Sequence, residues 1–86
     1  MSIKEKLVRQ LHLPRDVALG AVMVTVVGNT ELLIENFRGI IEYNETCLRL
    51  QTKTCKLAVR GKRLFVEYYN YEEMKVTGLI ESVSYE

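Results

Sequence analysis

An 86-residue chain that is 48% hydrophobic and 27% charged makes one domain with a modest core and leaves no room for a second. Such a composition excludes a disordered chain, and a net charge of +1 excludes attraction to nucleic acid or membrane through overall charge. The longest apolar stretch, 21–27 with Thr25 inside it, is far too short to span a bilayer.

The N-terminus MSIKEK is basic, but no apolar segment comes after it. No secretory signal is expected, and the default compartment is the cytoplasm. In residues 2–12, SIKEKLVRQLH, the apolar residues Ile3, Leu7 and Leu11 recur every four positions with Val8 beside them. That period predicts an amphipathic helix, capped by Ser2 and stopped before Pro14. Residues 13–20 are expected to form a connector, with Leu7 and Leu11 available to cover an open end or face of the rest of the domain.

From Ala21 onward, β-branched and aromatic residues dominate and turn residues recur at short intervals. Strands are predicted near 21–27, 31–36, 39–43, 47–51, 55–60, 63–70, 74–78 and 79–85. The turns between them fall at Gly28-Asn29, 43–46, 52–54, Gly61-Lys62 and 70–73, with Gly78 as a further turn glycine. The expectation is a single all-β domain over 1–86: a helix at 2–12, a connector at 13–20, and a β-sheet region at 21–85. The sheet is a curled antiparallel meander of about seven or eight short strands, forming a rolled sheet or sandwich. The predicted core is Val22, Val24, Val26, Leu32, Ile34, Ile40, Leu48, Leu50, Leu57, Val59, Leu64, Val66, Val76 and Ile80.

Cys47 shares a face with Arg49, whereas Cys55 shares one with Leu57 and Val59, so alternation points the two thiols apart. Free thiols and a reducing compartment are expected. Basic residues cluster in 44–63, and Arg49, Lys56 and Arg60 share the solvent face of a hairpin. Acids dominate 64–86. Two accounts fit this bipolar pattern: cross-strand ion pairs, or a surface for head-to-tail self-association. Phe65 and Tyr69 fall on one face with Arg63 and Glu67 and, where exposed, make a protein-binding surface.

Catalytic chemistry has little to work with. His12 is the single histidine, no phosphate-binding glycine loop is present, and no ligand set has metal spacing. No catalytic residue, metal or cofactor is assigned, and no nucleic acid is expected as a partner. In the polar segment Glu35-Asn36-Phe37-Arg38-Gly39, Gly39 is expected to take a positive φ, Asn36 to bond nearby backbone and tolerate left-handed geometry, and Glu35 to pair with Arg38. This segment reads as a structural turn with Phe37 and Arg38 at its tip. The candidate partner-binding residues are Phe37, Arg38, Arg49, Lys56, Arg60, Phe65 and Tyr69.

One alternative is an Sm-like, ring-forming nucleic-acid binder. Val59-Arg60-Gly61-Lys62-Arg63-Leu64 resembles its second motif, but the Asp and Asn of the first motif are not evident. A broader likeness runs from Leu13-Pro14 nearly to the C-terminus. Its pieces are Leu13-Pro14-x-Asp16-Val17, Val26-Val27-Gly28-Asn29 and Ile34-Glu35-Asn36-x-Arg38-Gly39-Ile40, then Leu57-x-Val59-x-Gly61-x-x-Leu64 and Val76-x-Gly78-x-Ile80-x-x-Val83-x-Tyr85. In these the chain resembles the YabP/YqfC family of sporulation proteins, most closely the YqfC branch. It departs from the pattern at Gly20-Ala21-Val22, where a proline is expected, and at Phe37, where histidine is common. The resemblance implies a non-enzymatic protein of the mother cell, located in the cytoplasm or at the forespore surface, that helps build the spore coat or cortex. It also implies a protein partner, a membrane-anchored sporulation protein of YqfD type. A homo-oligomer is a further expectation.

Overall fold

The computed structural model describes residues 20–86. The expected helix at 2–12 and nearly all of the 13–20 connector lie outside them. Six strands form one antiparallel sheet: β1 (Met23–Val27), β2 (Glu31–Glu35), β3 (Phe37–Tyr43), β4 (Cys47–Thr52), β5 (Lys56–Tyr69) and β6 (Glu73–Tyr85). Their order across the sheet is β1-β2-β6-β5-β4-β3. Strands β3 to β6 form a meander, and the β1–β2 hairpin adds to the far side of β6.

Six strands replace the expected seven or eight because Gly61 and Gly78 lie inside strands rather than in turns. The β5–β6 register shifts between Arg60 and Gly61 and between Lys62 and Phe65, so both long strands bend there. Absence of a Cβ allows the close approach. An added Cβ at Gly61 would run into the Leu79 carbonyl oxygen, and one at Gly78 would lie 2.5 Å from that of Arg63. Gly28 does sit in a turn, between β1 and β2, with φ 56°.

Neighbouring hairpins extend the pairing past the bends. Gly61 and Leu64 donate their N–H groups to the carbonyls of Thr46 and Glu45, while Gly78 and Ile80 donate to those of Thr30 and Asn29. The β3–β4 and β5–β6 turns are each held by an asparagine carbonyl. Asn44 Oδ1 accepts from the N–H of Thr46 and Cys47, and Asn70 Oδ1 accepts from Glu72 and Glu73. At the β4–β5 turn, the buried Thr52 hydroxyl donates to the Cys55 carbonyl at 2.8 Å.

β2 stands second in the sheet and β3 sixth, yet only Asn36 separates them in the chain. A flat sheet would set them four spacings apart, about 19 Å. Glu35 and Phe37 can be at most about 7 Å apart along the chain. The sheet is therefore rolled, and its two halves share one core: Leu32, Ile34, Met74 and Val76 meet Leu48, Leu50, Leu57, Val59, Leu64 and Ile80. Burying this set is the main stabilising term.

Two predicted core residues are corrected. Val26 is 52% exposed near the tip of the β1–β2 hairpin, and Ile40 is 39% exposed on the edge strand β3. Val22, Val24 and Val66 pack against the core without full burial. Met74, absent from the expected set, is fully buried.

Candidate functional site

The polar segment at 35–39 is a strand-to-strand link, built differently from the sequence expectation. Asn36, not Gly39, holds the left-handed backbone, with φ 66°. Its side-chain N–H donates to the Ala21 carbonyl at 2.9 Å, which ties the entry of β1 to the link. A Cβ at Gly39 would meet nothing within 4 Å, and Glu35 and Arg38 form no ion pair with each other.

Bulges set the side-chain pattern of β3. The register against β4 runs Phe37↔Thr52, Gly39↔Gln51, Ile40↔Leu50, Glu42↔Arg49 and Tyr43↔Leu48, with shifts at Arg38 and Ile41. Two extra residues turn the usual period of two into three. Phe37, Ile40 and Tyr43 consequently share the face of the buried Leu48, Leu50 and Thr52. A bulge at Glu67 does the same in β5. Tyr69 lies opposite buried Met74 and Val66 opposite Val76, whereas Phe65 pairs with Thr77 on the other face. Phe65 and Tyr69 thus do not share a face, contrary to the alternation expected from sequence.

These bulges bring three of the seven candidate binding residues together. A groove of about 390 Å³ is lined by Phe37, Arg38, Gly39, Ile40, Tyr69, Asn70 and Tyr71. The Phe37 and Tyr69 rings meet edge-on with centroids 6.5 Å apart. Arg38 is exposed and has no carboxylate partner among the described residues. Ile40 and Tyr71 are not expected in such a site from sequence. Ile40 has the sequence signature of a core residue, and Tyr71 that of a turn residue.

Arg49, Lys56 and Arg60 lie elsewhere, on the outer face of the β4–β5 hairpin. Two of them are engaged in ion pairs. Arg49 donates to Glu86 Oε1 from Nη2 at 2.9 Å and from Nε at 3.2 Å, and also pairs with Glu42 at 3.5 Å. Arg60 reaches Glu86 Oε2 at 3.4 Å. The hydrogen bond from Arg49, opposed by desolvation and reinforced by the charges of Arg49 and Arg60, holds the Glu86 carboxyl below its usual range. Backbone bonds in both directions between Lys56 and Glu86 secure the same end of the chain. This face is a set of cross-strand ion pairs. Of the other basic residues in the Sm-like segment, Lys62 lies 3.9 Å from Glu81 and Arg63 sits exposed in the bend with φ 53°.

A second depression of about 300 Å³ lies on the outer face of the other half, lined by Thr25, Val27, Glu31, Leu32, Leu33, Tyr68, Glu73 and Lys75. The Tyr68 hydroxyl donates to Glu73 at 2.7 Å, which raises its pKa, and Lys75 pairs with Glu67 at 3.7 Å. Tyr68, Glu73 and Lys75 are thus engaged within the fold. Cys47 and Cys55 are free thiols; Cys47 is registered opposite Arg60, and Cys55 sits in the turn. Among the described residues no group of histidine, cysteine or carboxylate side chains could hold a metal ion, and no helix is long and apolar enough to cross a membrane.

The profile of the YabP family matches residues 20–86. The chain belongs to the YabP family. A relative, the uncharacterized protein YqfC of Bacillus subtilis (strain 168), is 32% identical over 83 residues, covering 96% of this chain and 89% of that protein. No solved structure matches the chain significantly. The YabP match coincides with the described residues, so the rolled sheet and its groove together make up the family domain. The identity to YqfC extends beyond that domain to nearly the whole chain.

Proposed function

We propose that this YabP-family chain is a non-enzymatic assembly or adaptor factor in spore-envelope formation, acting in the mother cell by holding a protein partner. Family membership supports the setting. The observation that carries the mode of action is the groove at the edge of β3, where exposed Tyr69 and Tyr71 and an Arg38 without a carboxylate partner among the described residues surround an incompletely covered Ile40. Exposed aromatic and arginine side chains over an apolar floor are the composition of a protein-binding surface. A membrane-anchored protein of YqfD type is the proposed partner.

Deletion in a spore-forming host tests the reading. Vegetative growth is expected to be normal and spores heat-sensitive or poorly coated; normal, heat-resistant spores would refute the role. Solution mass, measured with and without the co-expressed membrane-anchored partner, tests the adaptor half. A complex of defined stoichiometry is expected, and two independently migrating proteins would exclude it.

A further inference from the structure

Among the strand edges of the described fold that have no strand partner, two are bridged to each other by side chains. One is the outer edge of β3, the last strand of the sheet. The other belongs to the second half of β5, which pairs with β6 from Phe65 to Tyr69, whereas β4 ends opposite Arg60. Side chains bridge the seam between them. At one end the Tyr43 hydroxyl accepts the Val66 N–H at 2.9 Å. At the other the Phe37 and Tyr69 rings meet. A tyrosine side chain and a hydrogen bond, end to end, span roughly two inter-strand spacings of about 4.8 Å each. No backbone hydrogen bond joins the two edges, so the seam is bridged by side chains and not zipped shut.

We infer that this seam receives one extended segment of the partner protein, added as a strand between β3 and β5, with an acidic side chain against Arg38. Two unpaired walls select the form of the occupant. The edge of another folded sheet would bring its own second strand into the space that β5 already fills. A lone extended segment has both edges free and pairs with both walls. The lining sets the chemistry. Ile40 is 39% exposed although Leu50, its register partner on the same face, is fully buried, so an apolar side chain of the segment would complete that face. Arg38 has no acidic partner among the described residues and offers a forked donor to a carboxylate. The inference rests on the adaptor reading for its partner, and it specifies where and how that partner binds.

The test is selection from a displayed library of random nine-residue peptides against the full chain. Enriched peptides are expected to alternate apolar residues and to carry an acid. Arg38→Glu is expected to weaken them about tenfold and to select lysine- or arginine-bearing peptides from the same library. Ile40→Asp, at a half-exposed position, is expected to weaken both classes. Bound peptide should slow hydrogen exchange along β3 and at Val66. No enrichment overturns the inference, as do binders indifferent to both variants or binders that protect β1 instead. Seam amides already slow without peptide, together with no enrichment, overturn it in favour of the chain's own N-terminal residues. In the spore-forming host the two proposals separate. Normal spores on deletion defeat the adaptor reading. Defective spores on deletion but normal spores with Arg38→Glu and Ile40→Asp combined defeat the seam alone.

Discussion

Gly78 lies so close to Arg63 that a Cβ on the glycine would come within 2.5 Å of the Arg63 carbonyl oxygen. Both residues have positive φ, 134° and 53°, where β5 and β6 bend together. Gly78→Ala is therefore expected to destabilise the protein by about 2–4 kcal/mol, from backbone strain plus overpacking. Gly39→Val, on an edge strand with open space around it, should change stability by less than about 1 kcal/mol. Denaturant midpoints of the two variants check the contrast. Similar losses at both positions would contradict the placement of the bend.

Glu86 ties Arg49 and Arg60 together, and its carboxyl is held below the usual range chiefly by the Arg49 hydrogen bond. A depressed carboxylate pKa stabilises the folded state above the unfolded pKa, and that stability is lost as pH falls through the folded value. The parent should be more stable than Glu86→Gln at neutral pH, and the two should converge in acid. Melting temperatures measured across the acid range decide this. A gap that persists at the lowest pH would assign the effect of Glu86 to packing rather than charge.

Tyr43→Phe removes the acceptor of the Val66 N–H while keeping the ring. Because the bond is near solvent, the expected loss is at most about 1 kcal/mol. The sharper readout is amide exchange, which should accelerate at Val66 and not at Val76, its partner on β6. Unchanged exchange at Val66 would mean that the hydroxyl does not guard the edge.

Met74 is fully buried and Ile40 is 39% exposed. Met74→Ala is expected to cost about 2–5 kcal/mol, whereas Ile40→Ala, half in solvent, should cost about 1 kcal/mol or less. Urea unfolding of the pair distinguishes core from groove; equal losses would return Ile40 to the core.

Residue chemistry makes much of the fold legible. Alternation places Leu32, Ile34, Leu48, Leu50, Leu57 and Val59 inside, and Asn44 and Asn70 mark their turns, because hydrophobic period and side-chain capping are written in residue type. Glycine is ambiguous. Gly28 makes a turn, while Gly61 and Gly78 allow two backbones to touch within a bent strand; both roles need the missing Cβ, so sequence does not separate them. The candidate site is half legible. Phe37, Arg38 and Tyr69 stand out by residue type, but three bulges decide which of their neighbours share a face. A bulge is one extra residue in a pairing register, a relation between strands that no single strand reveals. Residue type allows Arg49 and Arg60 to form cross-strand ion pairs, but it does not name their shared partner, Glu86, which lies 37 and 26 positions away.

Asn36 has a consequence for how the molecule comes apart. As a one-residue tether between the second and last strands, it ties the two layers by the shortest leash the chain allows. Strands β5 and β6 run through both layers, and their side chains feed a single core. Neither layer owns enough interior to survive alone, so the domain should melt as one cooperative unit. The seam between β3 and β5 is where it can yield locally, which leaves a place to admit a guest without loosening the rest.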